Sequence, residues 1–453
     1  MSNGALPRYI TECTPKKPEE RVPWYKSTAP SYAGIFLWVV FYMEIPTFLP
    51  KLGSSGIGLA LVALLLAGLL CHFLYYLVPG LLGMKTGYPL YVVGSSTYGT
   101  AGGFLMPGLL MGLLQFGWLA VNTAVSADFI LQAFGQPAAI SGGKFVGGGP
   151  VFTVVCIVWA LIAVIVGVLG IKYIARVASI LPIVPLLMLL IAFFMTVGGI
   201  AKYQAPAPES GTLLPFLGLI GMVIGFFATA GAAGVDFGMS NRNSKDVQLG
   251  GLVGIALAIL VTGGLAVLIA AGAKGLHPDL QDLRFDTVIK SGIGGFLASS
   301  MFILFAIASF APACFCTFIA SNSVGTMFPQ IPKLASALTG AVVSIILAAT
   351  GVALNLVGVF TIIGASFGPI CGAMAADYLL SGCKWAGPRK GVNLAGYISW
   401  AVGFVVAILP MISEKCEWIQ PAPLIAFVIG FVLYAVLAKA GLEPEPVRLE
   451  EQK

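Results

Sequence analysis

The sequence predicts an all-α integral membrane protein of twelve transmembrane helices, and three observations carry that expectation. Hydrophobic residues make up 58% and charged residues 9% of 453, against roughly 25% charged in ordinary soluble domains. Apolar runs of about 20 residues, long enough to cross a hydrocarbon core of roughly 30 Å, recur along nearly the whole chain. The first and sixth of these runs carry residues that interrupt helices: Pro46 and Pro50 in one, a stretch of small residues over 228–235 in the other.

The runs fall near 30–50, 54–79, 104–133, 151–169, 174–200, 214–237, 248–273, 296–323, 334–351, 355–381, 393–412 and 420–440. The polar residues 1–29 have no apolar core and read as an N-terminal segment rather than a cleavable signal. Residues 30–440 form the membrane domain and 441–453 a tail. With both termini cytoplasmic, 17 of the 24 Lys and Arg residues lie inside and 7 outside, as the positive-inside rule expects. The expected location is therefore the cell membrane, multi-pass, with the bilayer as partner. The net charge of +6 reports topology and not nucleic-acid binding, because it is scattered over short loops.

Eight cysteines, five of them within runs, and two histidines form no metal cluster. No Ser–His–Asp grouping and no phosphate-cradling glycine loop is present, so an enzyme is not expected, nor is a cofactor beyond a coupling H+ or Na+. His72 reads as a packed, hydrogen-bonded helix residue.

In the first run, Glu44 lies within apolar residues two positions before Pro46. An acid at that depth costs several kcal/mol unless a partner, proton or water compensates it. No basic residue lies in a neighbouring run, so Glu44 is a candidate substrate or proton site. In the third run, Gln115, Trp118, Asn122 and Ser126 share one helix face. Such a stripe is either interhelical polar glue or a binding face on which an indole stacks a flat ring and amides read its edge. Breaks in the first and sixth runs, five apart, suit a transporter of two inverted five-helix repeats with the substrate between the broken helices. The repeats would be 30–200 and 214–381, with 393–440 additional. The segment 274–291 mixes acids and bases and reads as a short surface helix or a loop covering a gate.

The segments 83–89 (GMKTGYP), 95–99 (SSTYG), 115–122 (QFGWLAVN), Asp236 with NRNSKD, and above all 368–380 (GPICGAMAADYLL) resemble the nucleobase–cation symporter-1 family of purine and cytosine permeases, over about residues 22–400. The resemblance implies a LeuT-type twelve-helix carrier of a small heterocyclic substrate, coupled to a cation. It implies that Trp118 stacks on the base, with Phe227 (or Phe226, one residue away) on the opposite face and Thr229 nearby. Glu44 falls where the family reads the base edge, and Asn122 matches a family asparagine. The eighth run departs from the pattern: Ala313 and Cys316 stand near the family's asparagine positions, and only Ser309 and Thr317 offer oxygens for sodium. That departure favours proton coupling through Glu44. An amino-acid or other small-solute carrier of the same architecture is the alternative, and a channel is less well supported because the polar cluster is isolated. Asp236 and Asp377 read as helix-end partners of Arg242, Lys245, Lys384 or Arg389.

Overall fold

A computed structural model describes residues 6–141, 144–169, 181–207 and 211–447. The opening of the fifth expected span, and with it Lys172 and Arg176, lies outside these residues. A short helix α1 (Arg8–Thr11) precedes α2 (Thr28–Leu37), α3 (Val39–Tyr42), α4 (Gly56–Leu70, continuing through a π turn to Thr86) and α5 (Leu90–Tyr98). Then come α6 (Phe104–Ala133), α7 (Gly149–Leu169), α8 (Ile183–Lys202), α9 (Leu213–Ala232), α10 (Gly234–Gly238) and α11 (Ser244–Leu276). The chain ends with α12 (Phe285–Val288), α13 (Gly295–Met327), α14 (Lys333–Ala349), α15 (Leu356–Leu380), α16 (Leu394–Ile412) and α17 (Ala422–Leu442). A two-residue β-hairpin, Ile140–Ser141 with Lys144–Phe145, follows α6.

Among the described residues ten helical stretches are long and apolar enough to cross a membrane, Val39–Thr86 being one. The expected count of twelve is not reached by length. The first expected span is divided at Trp38, and α14, with 17 residues, is short.

The first break is displaced from its expected place. Trp38 is extended (φ −68°, ψ 124°) between α2 and α3, six residues before Glu44. Pro46 opens a 3-10 stretch, Ile45–Ser55, where its missing N–H removes nothing the first turn would have used. The sixth span breaks at Ala233, inside the expected stretch. Its glycines also serve packing: a Cβ on Gly83 would overlap the Val235 carbonyl, and one on Gly238 the Gly80 carbonyl. Small residues let α4 and α10 approach at backbone distance.

Hydrogen bonds sort the connections onto two faces. On one, Lys16 N–H donates to Gly87 O (2.9 Å), Val22 N–H to Ser240 O (2.9 Å) and Val447 N–H to Pro388 O (2.7 Å), so the N-terminal segment and the tail are strapped to the same end. There Arg389 contacts Asp377 Oδ1 at 2.9 Å and pairs with Glu443, while Ser96 and Thr97 donate to Asp377. Asp377 thus has one of its expected partners. Asp236 does not: it accepts the Leu90 N–H at 3.1 Å, and Arg242 pairs instead with Asp246 at 2.7 Å. On the opposite face the segment 274–291 folds inward as a lid, its Phe285 N–H donating to Met43 O at 3.0 Å.

Candidate functional site

The break at Trp38 and the third-helix stripe meet in the middle of the molecule. Trp38 and Trp118 ring centroids lie 5.6 Å apart, tilted by 59°. Phe226 of α9 stands edge-on to Trp118 at 5.2 Å and 6.3 Å from Trp38; Phe360 of α15 closes the group at 5.8 Å from Trp118. Four elements therefore supply one aromatic box. Such rings prefer offset or edge geometry to a face-to-face sandwich.

The polar groups of the box are satisfied from within. Trp118 Nε1–H donates to Thr229 Oγ1 at 3.3 Å. Trp38 Nε1–H donates to Ser309 Oγ at 3.1 Å, and that hydroxyl donates to the Phe305 carbonyl at 2.8 Å. Asn122 bridges three helices: its Nδ2 donates to Ser309 O at 2.8 Å, and its Oδ1 accepts from Trp159 Nε1 of α7 at 3.0 Å. The Ser126 hydroxyl reaches the same Oδ1 at 3.5 Å.

Trp118, Thr229 and Ser309 are brought together, and Asn122 joins them through Ser309. Phe227 is not: it is fully buried behind them, stacked on Phe36 (5.7 Å, 22°) and near Tyr32. Phe226, one residue away, faces Trp118 because the helical rotation of about 100° per residue turns the two rings to different neighbours. Gln115 is half-buried against Met111. Ala313 and Cys316 are buried on the face of α13 that carries Ser309, and Thr317 turns back to donate to Ala313 O at 3.2 Å.

Glu44 lies elsewhere. Its Oε1 is 3.1 Å from Arg284 Nε of the lid, and Arg284 is 1% exposed. The expectation that no cation opposes Glu44 is overturned: the cation comes from a loop, which a search of the spans passes over. His72 is also corrected. It is buried without a hydrogen-bond partner for either ring nitrogen, held by edge contact with Phe73 at 4.6 Å.

Two residues of these clusters escaped the sequence reading, Trp38 and Arg284. Trp38 sits in an unbroken apolar run, and only the approach of α13 gives its N–H an acceptor. Arg284 looks solvated by its acidic neighbours in sequence.

No protein-family model and no curated protein matches the chain. Solved structures do. The inward-facing form of Mhp1 aligns with a TM-score of 0.67 at 16% identity, covering 94% of this chain and 95% of that one. Mhp1 in a closed conformation with bromovinylhydantoin bound, described as a nucleobase-cation-symport-1 family transporter, gives 0.64 at 17% identity with 94% of each chain covered. The fold is that of Mhp1. A Na+-coupled sialic acid symporter in its substrate-bound outward-open state follows at 0.55 and 13% identity, over 97% of this chain and 94% of that one. These Mhp1-like neighbours are membrane transporters and not enzymes, and their shared all-α architecture is the one this chain adopts.

Proposed function

We propose that the protein is a secondary-active symporter that imports a nucleobase or related flat heterocycle, alternating between states open to either side. The aromatic box of Trp38, Trp118 and Phe226 carries this reading. It is assembled from the two interrupted helices and the third, where a substrate held between broken helices would lie. The Mhp1-like fold supports it, since one solved relative of that fold holds a substituted hydantoin.

Protons are the coupling ion we favour. Sodium prefers several hard oxygen ligands, yet the Ser309 hydroxyl already receives the Trp38 N–H and Thr317 is turned to its own helix. Uptake in a permease-deficient cell over cytosine, adenine, guanine, hypoxanthine, uracil, hydantoins and thiamine tests the substrate class, and labelled-substrate counterflow identifies a carrier. Absence of saturable uptake for every ring compound in a correctly inserted protein would overturn it. Proteoliposomes with imposed gradients test the ion: a proton gradient should drive accumulation, and Glu44→Gln should abolish it. Accumulation driven by sodium alone would return Ser309 and Thr317 to the centre.

A further inference from the structure

Beneath the lid, three buried or nearly buried carboxylates surround one buried cation. Asp128 is 1% and Asp286 3% exposed, and the Glu44 side chain 12%. Arg284 is the cation among them. Glu44 Oε1 and Asp286 Oδ1 each lie 3.1 Å from the same atom, Arg284 Nε, so they stand no further apart than twice that distance. Neither Arg284 Nε nor Asp286 Oδ1 makes a hydrogen bond, although both atoms are buried.

Asp128 differs from the other two acids. Its Oδ1 accepts the Ala139 N–H at 2.6 Å and its Oδ2 the Gln132 amide at 2.8 Å. The same Gln132 amide reaches Asp286 Oδ2 at 3.5 Å, so it links the two acids. The remaining pair has one guanidinium between two carboxylates, and two like charges in a closed site disfavour joint ionisation. The other charged groups facing them do not correct the imbalance: Asp282 adds a further acid, itself engaged by the Arg284 N–H (2.9 Å) and the Thr287 hydroxyl (3.1 Å), and Lys51 is exposed.

We infer that Glu44 and Asp286 form a proton-binding site completed by closure of the lid, with one proton held by the pair, Arg284 as fixed countercharge and Asp128 as a third acid beside it. Glu44 belongs to the first-helix segment and Asp286 to the lid, so lifting the lid separates the two halves and returns the proton to water. Closure therefore takes up one proton from that face. The role in transport rests on the proton-coupled reading above, but the site itself is testable with no substrate present.

Val288, fully buried on the lid, is replaced by cysteine in a Cys416→Ser background, and its labelling by a membrane-impermeant maleimide is followed against pH in proteoliposomes. Gln281→Cys, exposed on the lid itself, normalises for thiol ionisation. Normalised labelling should rise with pH, approaching tenfold per unit through the transition because one proton is linked to closure. Glu44→Gln and Asp286→Asn mimic the protonated pair and should give slow labelling at every pH. Asp128→Asn removes a neighbouring acid and should shift the rise to lower pH, while Asp282→Asn should leave its steepness unchanged. A flat profile in the otherwise native protein overturns the inference, and so does a normal profile in both Glu44→Gln and Asp286→Asn. If the amide variants fail to insert, Glu44→Asp, which keeps the carboxyl, decides: it must displace the transition along the pH axis. A positive lid result with failed ring-compound uptake would refute the proposed substrate and leave the proton site standing.

Discussion

At the scale of single residues, the aromatic box makes the sharpest statements. Trp118→Ala should cost on the order of 1–3 kcal/mol of ligand affinity, the range found for aromatic–base stacking, and Trp118→Phe should keep part of it. Equilibrium binding of whichever ring compound the uptake panel selects is the measurement, and unchanged affinity would return Trp118 to packing. Asn122 carries a different load. Removing its amide leaves the Trp159 N–H and the Ser309 carbonyl short of partners, and an unsatisfied buried group costs about 1–3 kcal/mol. Asn122→Ala should therefore lower the thermal midpoint in detergent well below that of Ser126→Ala, whose hydroxyl reaches Asn122 Oδ1 at 3.5 Å. The stripe of Trp118 and Asn122 was legible because it lies on one helix, where spacing alone fixes the face. Trp38 and Ser309 come from helices 271 positions apart, and no local pattern brings them together.

At the scale of elements, what could be read was where the helices give way, though only approximately. The run of small residues in the sixth span announced its break, and Ala233 is where it falls. Pro46 announced a break that the structure sets at Trp38, because a proline at the start of a 3-10 turn is compatible with the helix geometry there. The reach of the lid was not legible: the 274–291 segment reads as a surface helix or a gate-covering loop, and nothing in it signals that Arg284 is buried beside the Phe285 bond to the Met43 carbonyl. Contact between α4 and α10 gives a prediction of its own. Gly83→Ala forces a methyl into the Val235 carbonyl, and overpacking of this kind costs typically 1–3 kcal/mol. Gly117→Ala, with no atom within 4 Å of its added carbon, should stay within about 0.5 kcal/mol. Thermal midpoints of the two variants in one detergent make the comparison.

At the scale of the whole molecule, the face that carries the N-terminal segment and residues 443–447 is tied together by one arginine. Arg389 holds Asp377 of α15, Glu443 of the tail, and the carbonyls of Ser96 and Pro444. Truncation to Met would leave two acids facing each other with no cation, a change worth about 3–5 kcal/mol where pairs are buried. Arg8, whose pairing with Glu12 is exposed at 82% and 63%, should lose no more than about 1 kcal/mol on the same substitution. Denaturant titration of both variants checks the contrast. The motif 368–380 pointed to this region without its chemistry: Asp377 was marked as a helix-end residue, while Glu443 is contributed from beyond it.

The contact of Trp38 with Trp118 also gives the protein an optical signature. Two indoles with centroids 5.6 Å apart couple their near-ultraviolet transitions, and the coupled band belongs to the pair and to neither ring alone. Trp38→Phe and Trp118→Phe should each erase the same feature of the dichroism spectrum, whereas Trp418→Phe, 69% exposed, should remove only a single-chromophore share. A guest that slides between the rings or spreads them would change that band during binding. Occupancy of the box could then be followed in the unlabelled protein, in real time, by light alone.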